Sequence, residues 1–147
     1  MRDDAHLLFD RLCVNLRAKE SLLGRISSSE SDRHYFIKSG AIQRLSESID
    51  SDQDLLDEIG SLNYEAARIT NRICRTCGLS PAALDRMISE CGEEPFREAF
   101  VLRGSIRRLL KEISTDRSRL IHDMERLIEE IESDYNSLVA RLGIVLP

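Results

Sequence analysis

The chain has 147 residues, 41% hydrophobic and 32% charged, with 5% aromatics, no Trp and a formal net charge of -5. That length suits one domain with a narrow Leu/Ile core, and the negative balance argues against nucleic acid as the main partner, since phosphate binding needs a concentrated positive face. No run of about 20 apolar residues occurs, which excludes a membrane span.

A first helix is expected over residues 3–38, opened by Asp3 or Asp4, with Leu8, Leu12, Leu16, Leu23 and Ile26 on its buried side. The polar knot Ser27-Ser28-Ser29-Glu30-Ser31-Asp32 weakens it, because serines compete for backbone hydrogen bonds. Tyr35, Phe36 and Ile37 restore apolar weight at once, which favours continuity. Ser39-Gly40 marks a break, with Gly40 suited to a positive φ and Ser39 to capping the next helix.

A second helix is expected over residues 41–77, on a stripe of Ile42, Leu45, Ile49, Leu56, Ile59, Leu62, Ala66, Ile69 and Ile73. Asp50-Ser51-Asp52 lies in its path as a nick or second cap. Gly60 would cost ~1 kcal/mol against Ala in a helix interior, which suggests close packing. Gly78 reads as a helix stop. Ser80-Pro81 reads as a cap and first helical residue, and Ala83, Leu84, Met87 and Ile88 suggest a short helix over 81–90 that ends before Gly92.

The last helix is expected over residues 95–142, with Glu93-Glu94-Pro95 at its positive end and Gly143 as its stop. The tail Ile144-Val145-Leu146-Pro147 is expected to be frayed or docked. At ~1.5 Å per residue the rod would be roughly 70 Å long. Ile106, Leu110, Ile113, Leu120, Met124, Leu127, Ile131, Leu138 and Leu142 recur at helical spacing along one face, interrupted by Arg117. Such a rod needs partner helices to cover its stripe. The expected fold is all-α: an elongated antiparallel bundle or coiled coil of three main helices plus one short helix, residues 1–147 as a single domain. The two long stripes are expected to pair, with the first helix completing the bundle.

No catalytic constellation accompanies this layout, so no enzyme and no cofactor are expected. Cys74-Arg-Thr-Cys77 is a CxxC at a helix end, where the dipole disfavours a thiolate. With Cys91 it supplies three of the about four ligands a zinc site needs, and Cys13 is distant in sequence, so reduced structural thiols and no metal are expected. His6, His34 and His122 stand apart from any Cys or Ser nucleophile. Asp123, Glu125, Glu129, Glu130, Glu132 and Asp134 form an acidic flank without the inward Glu-x-x-His of di-iron bundles. Arg103, Arg107, Arg108 and Lys111 read as a solvated basic face.

The stripe itself is the remaining candidate. Toward its end Leu127, Ile128, Ile131, Tyr135, Leu138, Val139 and Leu142 form an apolar band wider than two heptad positions require. An overhanging band of this kind could hold a partner's amphipathic helix.

Leu16-Arg-Ala-Lys-Glu20-Ser-Leu22-Leu23, Ser39-Gly40-Ala41-Ile42-Gln43-Arg44-Leu45, Leu55-Leu56-Asp57-Glu58-Ile59 with Asn63-Tyr64-Glu65-Ala66, and the helix from Ile106 to Leu142 together resemble the FlgN-type flagellar export chaperones. The resemblance implies a cytoplasmic type III export chaperone. It would bind C-terminal segments of hook-associated (hook–filament junction) proteins and deliver them to export gate components, with the seven band residues as the client-binding site. The alternatives are a structural coiled-coil adaptor that self-associates as a homo-oligomer through the same stripe, or a Cys-based metal-binding helical protein. The opening Met-Arg-Asp-Asp-Ala-His lacks the apolar core of a signal peptide, in keeping with a cytoplasmic expectation.

Overall fold

A computed structural model describes residues 3–90 and 96–143. Its helices are α1 (Asp3–Ser28), α2 (Glu30–Ser39), α3 (Ile42–Cys77), α4 (Pro81–Glu90) and α5 (Phe96–Leu142), and no strand occurs among the described residues. The fold is an all-α helical bundle. Cys91, Gly92, the Glu93-Glu94-Pro95 start and the tail from Ile144 to Pro147 lie outside the described residues.

The expected first helix is divided by a one-residue break at Ser29. The Ser28 and Ser29 hydroxyls both donate to the Arg25 carbonyl, the local competition that interrupts a helix ladder. Gly40 closes α2 at φ +71°, and the amides of Gly40 and Ala41 return to the Ile37 and Phe36 carbonyls. Ser39 does not cap α3. It ends α2, with its hydroxyl bonded back to the Tyr35 carbonyl. Gly78 closes α3 at φ +65°, and the Ser80 hydroxyl accepts from the Ala83 amide at 3.1 Å as the cap of α4.

Helix α3 runs unbroken through Asp50-Ser51-Asp52. Its inward line is Leu45, Asp52, Leu55, Ile59, Leu62, Ala66, Ile69 and Ile73, steps of three and four plus one seven. Ile42, Ile49 and Leu56, expected on the buried stripe, are exposed. In α5 the same shift puts Leu109 inward and Leu110 outward. A Cβ added at Gly60 would meet nothing within 4 Å, so that glycine marks no close approach.

Helices α1 and α2 form the middle of the bundle. Helix α3 packs antiparallel to them, as Asn15–Leu62 and Arg33–Asp52 contacts show. Helix α5 packs parallel to them, through Phe9–Phe96, Arg17–Glu98 and His34–Asp123. Helices α3 and α5 run antiparallel to each other, but their Cα atoms do not approach within 8 Å: the two long helices meet through side chains, Arg117 with Asp52 among them, while each packs closely on α1–α2. The reason is visible in α1: Ala5, Leu8, Phe9, Leu12, Cys13, Asn15 and Leu16 are all buried, a face wide enough for two neighbours. Helix α4 closes the end where α1 begins, burying Leu84 and Ile88.

Candidate functional site

The core lies in two parts. The larger runs from Leu8 to Ile26 on α1, with Leu55–Cys74 residues of α3, Leu84 and Ile88 of α4, and Phe96–Ile106 residues of α5. The smaller, at the α2–α3 turn, holds Ile37, Leu45 and Leu120, with Phe36, Met124 and Leu127 against it. A buried ionic layer sits between them. Arg33 Nη1 donates to Asp52 Oδ2 at 2.8 Å and Nη2 to the Ile26 carbonyl at 3.0 Å, and Arg117 donates to the same Asp52 oxygen. Burial lowers the Arg33 pKa and the Asp52 carboxylate opposes that shift. Arg117 thus interrupts the α5 stripe because it faces a carboxylate buried on α3. A second polar bridge follows: His34 reaches Glu30 at 3.0 Å and Asp123 at 2.9 Å, tying α2 to α5.

Leu127 is the last apolar α5 residue packed on this core. The helix continues over residues 128–142, ~22 Å at ~1.5 Å per residue, past the turn that joins α2 to α3. Along that length Ile128, Ile131, Tyr135, Leu138 and Leu142 are each more than half exposed, at steps of three and four. Val139 is half-buried on the edge of this seam. Of the seven expected band residues, Leu127 belongs partly to the bundle's own core and five form an open face. Ile121, 57% exposed, lies outside the expected set. It stands seven residues before Ile128 and fourteen before Tyr135, the heptad step that could have found it. Glu129, Glu130, Glu132 and Asp134 crowd the flanks against the single cation Arg141.

The other chemical candidates disperse. Cys13 and Cys74 are buried and Cys77 is half-buried, all as free thiols, while Cys91 is outside the described residues. Burial, with Glu98 nearby, pushes the Cys13 thiol up to about 11. Among the described residues no group of three His, Cys, Asp or Glu side chains is placed to hold a metal ion. Of the expected basic face, Arg103 is paired with Asp85 of α4 at 2.6 Å, while Arg107, Arg108 and Lys111 are exposed. No described helix is long and apolar enough to cross a membrane. Comparison with family models, characterised proteins and solved structures gives no match.

Proposed function

We propose that this protein is a non-enzymatic escort that shelters an amphipathic helical segment of a client on the overhanging end of α5. The observation that carries the reading is the open seam of Ile128, Ile131, Tyr135, Leu138 and Leu142, which lies past the last apolar contact of α5 with the other described helices. Fully burying one aliphatic side chain is worth ~1.5–3 kcal/mol. Each seam residue is already about half covered, so a client helix would gain roughly 1 kcal/mol apiece, about 5 kcal/mol in all. The acidic flanks add attraction for a basic client. Part of the gain offsets the ordering of a client that is unfolded before capture, which leaves an affinity weak enough for release by competition, without ATP.

The resemblance to FlgN-type chaperones extends this reading. The client is then the C-terminal segment of a hook–filament junction protein, held unpolymerised in the cytoplasm and passed to the export gate. The test is titration calorimetry of such segments against the wild type and against Ile131→Asp and Leu138→Asp. The reading requires binding to the first, loss with both variants, and unchanged helicity throughout. Equal binding by all three proteins overturns it.

A further inference from the structure

A second apolar surface lies at the opposite end of the bundle. Helices α1 and α3 leave between them a groove of about 500 Å³ with a floor of Leu7, Val14, Leu62 and Ile69. Leu7 and Val14 are each 60% exposed, although both sit on the helix that forms the middle of the bundle. From Leu7 to Ala18 the groove runs ~16 Å at ~1.5 Å per residue, room for three turns of a helix laid along it. Its rim carries Arg11, Arg68 and Arg72, against Asp10 and Glu65. Asn15 also lines it: its Nδ2 donates to the Leu62 carbonyl at 2.9 Å, while its buried Oδ1 has no partner.

We infer that this groove receives the α5 overhang of a second copy of the chain. Three features on separate elements agree. The overhang, ~22 Å long at ~1.5 Å per residue, carries an apolar seam of which about three turns match the groove, and no described helix lies beside it. Its flanks carry four acids and one Arg, and the groove's rim carries three Arg and two acids, so band against groove is attractive where band against band would repel. The placement also closes. The groove lies at the end where α1 begins, and the overhang at the end where α2 stops. A second copy laid antiparallel puts each overhang level with the other's groove along the bundle axis, the order a two-fold pairing requires, and each groove then takes about three turns of the seam. The pairing shares the α5 seam with the escort role but does not depend on any client. Where both exist they compete, and the dimer is the form in which the unoccupied seam is protected.

Sedimentation equilibrium of the full chain, without client, tests this from low micromolar to hundreds of micromolar. A dimer is expected that weakens as salt rises. Arg68→Glu/Arg72→Glu breaks the groove, and Ile131→Asp breaks the band. Each should raise the dissociation constant by about tenfold or more, with circular dichroism unchanged because all three positions are exposed. Mixing the two variants is the decisive arm. The first still has a good band and the second a good groove, so one of the two contacts re-forms, and the mixture associates more tightly than either variant alone. A wild type that stays monomeric, a dimer indifferent to the Arg substitutions, or a mixture no tighter than its components would each overturn the inference. Because no client is present, such a failure leaves the calorimetric test of the escort role standing on its own result.

Discussion

Asp52→Asn is the most informative single change in the bundle. It preserves the shape of the side chain and removes only its charge. Asp52 is 3% exposed and accepts from two guanidinium groups; Arg33, 2% exposed, has the Ile26 carbonyl as its one other side-chain acceptor among the described residues. Without the carboxylate, Arg33 is a buried cation facing a second cation, Arg117. Removing one partner of a buried ion pair costs ~3–5 kcal/mol, a large part of the ~5–15 kcal/mol that holds a domain of this kind together. At ~2–4 °C per kcal/mol for a chain of this size, Tm should fall by roughly 10 °C. Arg117→Met is the control. Its side chain is 30% exposed and its loss leaves Asp52 still paired with Arg33, so it should cost about 1 kcal/mol. Urea and thermal unfolding followed by circular dichroism read both. The double variant Arg33→Met/Asp52→Leu should recover most of the loss, because a matched apolar pair needs no desolvation offset. A cost under about 1 kcal/mol for Asp52→Asn would refute the reasoning, since it would mean water already reaches Arg33.

Other expected outcomes rest on the same packing. Ile106→Asp, at a 5% exposed core position, should unfold much of the bundle, whereas Ile131→Asp, at a 58% exposed one, should change stability by no more than ~0.5 kcal/mol; thermal melts of the two compare them directly. Gly60→Ala should stabilise α3 by ~1 kcal/mol, since the added methyl meets open space and the backbone is already helical. Gly40→Ala should cost ~1–2 kcal/mol from the φ of +71° alone. Cys13 should resist alkylation at pH 8 while half-buried Cys77 reacts. Its folded pKa is raised from 9.0 to about 11, so the folded state holds the proton more tightly. The associated stability is full below pH 9 and declines as pH rises toward 11, which denaturation midpoints across that window would show.

The helices and their glycine stops are legible in the sequence because Gly40, Gly78 and the Ser80-Pro81 pair carry local instructions that need no tertiary context. The register of the long stripes is less so. In α3 the inward line passes through Asp52, and a reading that looks for apolar periodicity steps around a charge. It therefore favours Ile49 and Leu56, whereas the bundle buries Asp52 and Leu55 and leaves that pair exposed. The carboxylate is buried because Arg33 and Arg117, 19 and 65 residues away, converge on it. No spacing rule announces such a partnership. Likewise Leu109 and Leu110 are both apolar, and only the position of α1 selects the first. The middle role of α1 is hidden because its apolar residues read as one stripe while they serve two neighbours. The seam at Ile131, Tyr135, Leu138 and Leu142 is visible as a pattern. That it lies open depends on where α2 turns into α3 relative to Leu127, a fact of three-dimensional length rather than composition. The groove floored by Leu7 and Val14 has no sequence signal, since scattered apolar residues on an amphipathic helix carry no sign of which face remains uncovered.

Amide hydrogen exchange over residues 128–142 addresses the account most directly, measured on dilute protein below its self-association range and then with a junction-protein C-terminal segment added. The account predicts fast exchange in the free chain relative to residues 99–120 of the same helix, because no other described helix packs on that end, and strong slowing across 128–142 once the segment binds. Exchange in the free monomer as slow as in the core stretch, or no change on adding the segment, would contradict it.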